Sequence, residues 1–185
     1  MTAPPTPSAP GRVGRVMADG LTLLRGVLAL PLLLCLQGGW SALAWGLLLL
    51  GGFSDAADGW LARRSGGGSV WGARLDPLTD KLLISAPLLW LGSTGRLPLV
   101  AVWLLLAREL LVSGWRAQQG SGGPASRWGK AKTILQFLSL LLLLWPASWA
   151  GSGWAWSAGW WLFWPALALA LSSAAGYLRK GAGGG

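Results

Sequence analysis

The chain alternates long apolar runs with short polar or glycine-rich breaks, and it does so six times. The runs cover residues 20–37, 41–63, 75–92, 97–117, 129–148 and 158–178. Breaks fall at Gly38-Gly39, 65–68, 92–98, 120–124 and 149–159. Each run meets or nearly meets the helix length that crosses a ~30 Å hydrocarbon core. The pattern predicts an all-α integral membrane protein with six transmembrane helices. Residues 12–19 read as a short amphipathic segment along the membrane surface. The Pro-, Ala-, Thr- and Ser-rich residues 1–11 are expected to form a disordered tail and 181–185 a flexible one, flanking a single domain over 12–180. The first apolar run lacks a small-residue cleavage site and is expected to stay as a span, with no signal peptide.

Charges then orient the spans. Arg12 and Arg15 precede the first run; Arg63, Arg64 and Arg74 separate the second from the third. Arg116, Arg127, Lys130 and Lys132 lie between the fourth and fifth, and Arg179 and Lys180 follow the sixth. The opposite loops hold only Arg96. Basic residues favour the cytoplasmic side, so both termini are expected there. Trp145, Trp149, Trp154, Trp156, Trp160, Trp161 and Trp164 surround one uncharged outer loop, as an interfacial aromatic belt does. A merely Trp-rich composition is the alternative account of that cluster.

Composition narrows the class. Of 185 residues, 53% are hydrophobic and 11% charged, too apolar for a soluble domain. The formal net charge of +9 suits an anionic substrate or the cytoplasmic membrane surface. Basic residues scattered between apolar runs do not make a nucleic-acid face. Cys35 is the single cysteine and there is no histidine. An internal disulfide, a Cys- or His-ligated zinc and Ser-His-Asp hydrolysis are thereby excluded.

The candidate chemistry sits in residues 54–81. Four of the six acidic residues, Asp55, Asp58, Asp76 and Asp80, lie there beside apolar runs. Carboxylates in such a place are costly and point to function. At about 100° per residue, Asp55, Asp58, Gly59 and Ala62 share one helix face. Asp76 and Asp80 share a face of the next helix, with Pro77 expected in its first turn and 65–69 as the turn between. Four carboxylates facing one space need cations to stay ionised together. All-oxygen ligation suits Mg²⁺ or Mn²⁺. Arg63 offers a forked donor for phosphate. Ordinary solvated charges at two helix ends are the bland alternative.

The spacing reads Asp-x-x-Asp-Gly-x-x-Ala-Arg, eight residues, then Gly-x-x-x-Asp-x-x-x-Asp. It is similar to the signature of the CDP-alcohol phosphotransferases at every fixed position. Three further stretches resemble the branch of that family that uses glycerol 3-phosphate: Asp19-Gly20-Leu21-Thr22-Leu23-Leu24-Arg25, with Asp19 where the branch has Asn; Arg108-Glu109; and Gly129-Lys130-Ala131-Lys132-Thr133. The likeness covers about residues 15–140. It implies transfer of the phosphatidyl group of CDP-diacylglycerol to glycerol 3-phosphate, with CMP leaving, at a site facing the cytoplasm. It implies two divalent ions on Asp55, Asp58, Asp76 and Asp80, with Asp80 also the general base. Gly59, Arg63, Ser69 and Gly72 are then expected to meet CDP-diacylglycerol, and a homodimer is the expected assembly.

Arg108, Arg116, Lys130 and Lys132 are candidates for the acceptor's phosphate. Positive-inside anchoring is an equal reading of Lys130 and Lys132. For Arg108 the competing reading is a structural pair with Glu109 or an Asp. Sibling enzymes with another alcohol, making cardiolipin, phosphatidylinositol phosphate or phosphatidylserine, stay open. So does a catalytically dead lipid-binding relative. A divalent-cation transporter fits less well, because the outer halves of the runs carry no acidic residues to continue a path.

Overall fold

The computed structural model describes backbone elements over residues 12–64, 70–118 and 127–182, and side chains chiefly over 23–54, 79, 81–114 and 131–174. Six helices follow one another: α1 (Arg12–Gln37), α2 (Ser41–Arg64), α3 (Val70–Ser93), α4 (Leu99–Gln118), α5 (Arg127–Leu143) and α6 (Ser152–Ala182). The expected all-helical order of six is found. The tails expected at 1–11 and the turn expected at 65–69 lie outside the described residues, although Gly181 and Ala182 still belong to α6.

Helix α1 packs against α2 and α3, α5 against α6, and α4 bridges α6 and α3, while α5 also touches α2 and α3. Leucines fill the space between them: Leu32, Leu48, Leu88, Leu91 and Leu105 are fully buried. The opposite helix faces are also apolar. Val27, Leu30, Leu43, Phe53, Leu82, Trp103, Leu111, Ile134 and Trp161 are all at least half exposed. Among the described residues, no helix is long and apolar enough to cross a membrane.

Tight turns close one end of the bundle, hereafter the tryptophan end. After α1, the Trp40 amide donates to the Cys35 carbonyl (2.9 Å) and Gly39 has φ +77°. After α3, the Arg96 amide donates to the Leu91 carbonyl (2.9 Å) and Gly95 has φ +69°. Both are glycine C-caps of the Schellman kind, and a side chain at either glycine would be strained.

Four boundaries differ from expectation, each for a physical reason. Residues 12–19 are not a separate surface segment; they run into α1 without a break. Gly14 and Gly20 each cost only about 1 kcal/mol relative to Ala, too little to end a helix. Helix α3 starts at Val70, so Pro77 lies in the helix interior and not in its first turn. Helices in packed apolar bundles tolerate such prolines when neighbours compensate. Helix α5 stops at Leu143, five residues early, because Pro146 cannot continue it. Helix α6 starts at Ser152 and not at 158, since the Ala155 amide already bonds the Gly151 carbonyl (2.9 Å).

Candidate active site

Helices α2 and α3 form an antiparallel pair, and one contact sets how they slide against each other. A Cβ built on Gly51 would overlap the end of the Leu83 side chain, so glycine here lets that leucine lie against the α2 backbone. From that contact, four residues along α2 lead to Asp55 and seven to Asp58. Three residues back along α3 lead to Asp80 and seven to Asp76. At ~1.5 Å per residue, Asp58 and Asp76 both lie about 10 Å beyond the contact. Asp55 and Asp80 lie about 6 Å and about 4.5 Å beyond it. The backbone register therefore sets the four positions at two matched levels on neighbouring helices.

Two more close approaches hold this end. A Cβ on Gly26 of α1 would sit 2.9 Å from Cγ2 of Thr79, the residue before Asp80. One on Gly52 would sit 2.1 Å from Cζ of Phe137 on α5. Helices α3 and α5 thus come close to α2 within one turn of Asp55, and α1 comes close to α3 beside Asp80.

Gly59 and Arg63 fall on α2 with Asp55 and Asp58, and Gly72 falls on α3 with Asp76 and Asp80. The side chains of these residues, with those of Arg116 and Lys130, lie outside the described residues, as does Ser69 altogether. Among the described residues, no three His, Cys, Asp or Glu side chains come together. The donor set itself fits a hard divalent cation: the stretch offers four carboxylates and neither imidazole nor thiolate.

Around those levels the described side chains form a polar lining inside an apolar bundle. Arg108 is nine-tenths buried. Its Nε donates to the Ala170 carbonyl of α6 (2.9 Å), its Nη1 to Oε1 of Glu109 (3.0 Å) and its Nη2 to the Ser173 hydroxyl. The buried ammonium of Lys132 on α5 pairs with the same Glu109 oxygen. One carboxylate thus joins α4 to α5, and Arg108 ties α4 to α6. The structure brings together two of the four acceptor-phosphate candidates, Arg108 and Lys132, through Glu109. That is the structural pairing weighed above for Arg108, with Lys132 as an added member.

Three polar residues escaped the sequence reading as site candidates. Arg25 is fully buried on α1, next to the Gly26–Thr79 approach and so near the aspartate levels. Its signal was present: a lone cation inside the apolar run 21–36. Gln136 and Ser139 continue the buried face of Lys132 along α5. The Ser139 hydroxyl donates to the Gly159 carbonyl (2.8 Å), while Gln136 Nε2 meets no acceptor among the described residues. Glutamine and serine in a leucine-rich helix carry no charge to flag them.

The four aspartates thus lie on the backbones of α2 and α3, and buried cations lie on α1, α4 and α5. Comparison with known proteins identifies the family. A model of the CDP-alcohol phosphatidyltransferase family matches residues 15–172. A Mycobacterium tuberculosis protein named probable phosphatidylglycerophosphate synthase is 37% identical over 140 residues, covering 71% of this chain and 67% of the relative. A Pseudomonas fluorescens protein named CDP-diacylglycerol–glycerol-3-phosphate 3-phosphatidyltransferase is 36% identical over 136 residues, covering 67% and 69%. A chloroplastic/mitochondrial Arabidopsis thaliana protein of the same name is 32% identical over 185 residues, covering 86% of this chain and 60% of its own.

Proposed function

The chain belongs to the CDP-alcohol phosphatidyltransferase family, and from that membership we propose that it transfers the phosphatidyl group of CDP-diacylglycerol to glycerol 3-phosphate, giving phosphatidylglycerophosphate and CMP. The observation that carries the site is the Gly51–Leu83 register, which levels Asp55 with Asp80 and Asp58 with Asp76.

In this reading Asp55, Asp58, Asp76 and Asp80 would hold two divalent ions, Mg²⁺ or Mn²⁺. When bound, such ions neutralise the diphosphate and stabilise the leaving CMP. Asp80 accepts the proton of the acceptor hydroxyl as that oxygen attacks the phosphorus of the phosphatidyl group. Gly59 lets the nucleotide approach the α2 backbone, Arg63 clamps the diphosphate, and Ser69 and Gly72 meet the nucleotide.

Arg108, Arg116, Lys130 and Lys132 receive the acceptor's phosphate. Three of the five N–H donors of Arg108 are already used on Ala170, Glu109 and Ser173, which leaves two for a phosphate. Those same bonds hold the guanidinium still before substrate arrives. They also favour a second reading, in which Arg108 and Lys132 serve only to join helices.

The bilayer placement rests on three supports. The helices run from 17 residues in α5 to 31 in α6, or about 25 to 46 Å at ~1.5 Å per residue. Their outward faces are apolar, which a water-facing bundle does not sustain. Basic residues gather at the aspartate end, so that end and both termini face the cytoplasm.

The decisive experiment incubates purified protein with CDP-diacylglycerol, Mg²⁺ and a panel of alcohols. Phosphatidylglycerophosphate and CMP are expected from glycerol 3-phosphate. Comparable turnover of glycerol, serine or phosphatidylglycerol would reject this acceptor in favour of a sibling activity.

A further inference from the structure

The tryptophan end holds a cavity of about 230 Å³, near the lower size of small-molecule clefts. Leu36, Leu143 and Leu144 back it, and Trp90, Arg96, Trp145 and Ala147 line it towards the surface. Arg96 is exposed there, its guanidinium 4.9 Å from the Trp90 ring centroid and 5.7 Å from that of Trp156. Both rings attract a cation through their faces, and they fix where this one sits.

Among the described residues Arg96 has no counter-charge. The acidic residues are Asp19, Asp55, Asp58, Asp76, Asp80 and Glu109. Glu109 is the nearest along a helix, ten residues down α4, or ~15 Å. That exceeds the ~8 Å screening length of physiological salt, and Glu109 is already bound to Arg108 and Lys132. Among the described residues, no acceptor takes the side-chain N–H groups of Arg96. It is also the one basic residue in the loops of this end, against the charge bias that places every other loop cation at the far end.

We propose that this cavity binds an anionic phospholipid, its phosphodiester on Arg96 and the start of an acyl chain against Trp145 and Ala147. A guanidinium stacked on indole keeps its in-plane N–H fork open for phosphate oxygens. Trp145 and Ala147 bring apolar surface into the same cavity beside that cation, which suits a ligand that is anionic at one end and apolar at the other. The site lies at the opposite end of the helices from the aspartates, so its occupant is neither substrate nor product in transit. The proposal rests on the bilayer placement argued above.

Detergent-solubilised full chain, immobilised and washed with labelled dioleoylphosphatidylglycerol or dioleoylphosphatidylcholine, tests it. The wild type is expected to retain about fivefold more of the anionic lipid. Arg96→Gln should bring the ratio near one, and Arg96→Lys to an intermediate value. Ala147→Trp, which fills the cavity and keeps Arg96, should lower the retention as Arg96→Gln does. CMP release by Arg96→Gln at saturating substrate should match the wild type and serves as the folding control.

An unchanged ratio in Arg96→Gln and Ala147→Trp, or a wild-type ratio of one, overturns the site. Displacement of the lipid by inorganic phosphate alone overturns the lipid as occupant. Carbonate washing of cell membranes separates the two levels of argument. Release of the chain into the wash overturns the bilayer placement and the site together. Retention in the pellet with equal lipid binding overturns the site alone.

Discussion

The two ends of the bundle are built from the same six helices and share almost no chemistry. At the aspartate end the buried positions include Arg25, Thr79, Arg108, Lys132 and Gln136, and the helices are joined by charge and hydrogen bonds. At the tryptophan end Trp45, Trp145 and Trp149 meet edge to face at 5.2–5.6 Å, and Trp45 Nε1 donates to the Leu141 carbonyl (2.9 Å). Aromatic contacts of this kind add about 0.5–1.5 kcal/mol each and need no partner charge. Buried ions stabilise less on balance, but breaking one pair costs about 3–5 kcal/mol. The contrast sets the end proposed to carry the reaction against the end that locks the helices together and holds the Arg96 cavity, and it ranks the effects expected of substitutions.

The largest loss belongs at the aspartates. Asp55→Asn or Asp76→Asn should lower CMP release by at least about a thousandfold, as expected when an electrostatic group of the transition state is removed. Membrane insertion should be unaltered. Chelator should abolish activity and added Mg²⁺ restore it. Full turnover in metal-free buffer would collapse the distinction between the two ends.

Next comes Glu109→Gln. It leaves Arg108 and Lys132 buried without their shared anion, a cost of about 3–5 kcal/mol. Thermal unfolding in detergent should show a clear fall in Tm. An unchanged Tm would mean that the polar end is not held by charge.

Gly51→Ala should cost about 1–3 kcal/mol through overpacking against Leu83, and should shift the aspartate register. Activity should fall more than stability alone explains, because misplacement of about 1 Å can cost a hundredfold. Gly51→Ala combined with Leu83→Ala should recover much of the rate. Additive losses in the double variant would argue against a register role.

Smaller still, Arg108→Lys and Arg116→Lys should raise the KM for glycerol 3-phosphate about tenfold and leave that for CDP-diacylglycerol alone. If both constants hold and only Tm drops, the structural reading of Arg108 prevails. At the far end, Trp149→Ala should lower stability by about 1 kcal/mol, read as a small fall in Tm, and leave kcat untouched.

Much of this contrast could be read from residue order alone. Long apolar runs punctuated by Gly38-Gly39, Gly95 and Pro98 specify helices and their order, because backbone groups in an apolar setting must bond within a helix. The four aspartates stood out for the opposite reason, since charge beside an apolar run is costly, and their places on α2 and α3 followed from the spacing. Boundaries were less legible. Whether residues 12–19 lie apart or extend α1, and whether α6 starts at Ser152 or 158, depends on caps worth about 1 kcal/mol, which packing can override. The Glu109 bridge was half legible. Arg108 beside Glu109 is visible along the chain, but the Lys132 partner is brought in by the approach of α5, 23 residues away in sequence. The Gly51–Leu83 contact was illegible, since a glycine in a leucine run names no partner.

The short connections at the tryptophan end have a mechanical consequence. Residues 38–40, 94–98 and 144–151 tie the helices in pairs there, two of them through capped glycine turns. Interlocked indoles stiffen the same end. Each pair so tied, α1–α2, α3–α4 and α5–α6, pivots about its own turn, against the Glu109–Lys132 and Arg108–Ala170 links that join the pairs further along. With arms of about 30 Å, a rotation of about 5° at the pivot moves the far tips by roughly 2.6 Å. Amide hydrogen exchange should then be slowest at Leu88 and Leu91 and quicken along α3 towards Thr79; a flat profile would mean a rigid rod in place of a lever.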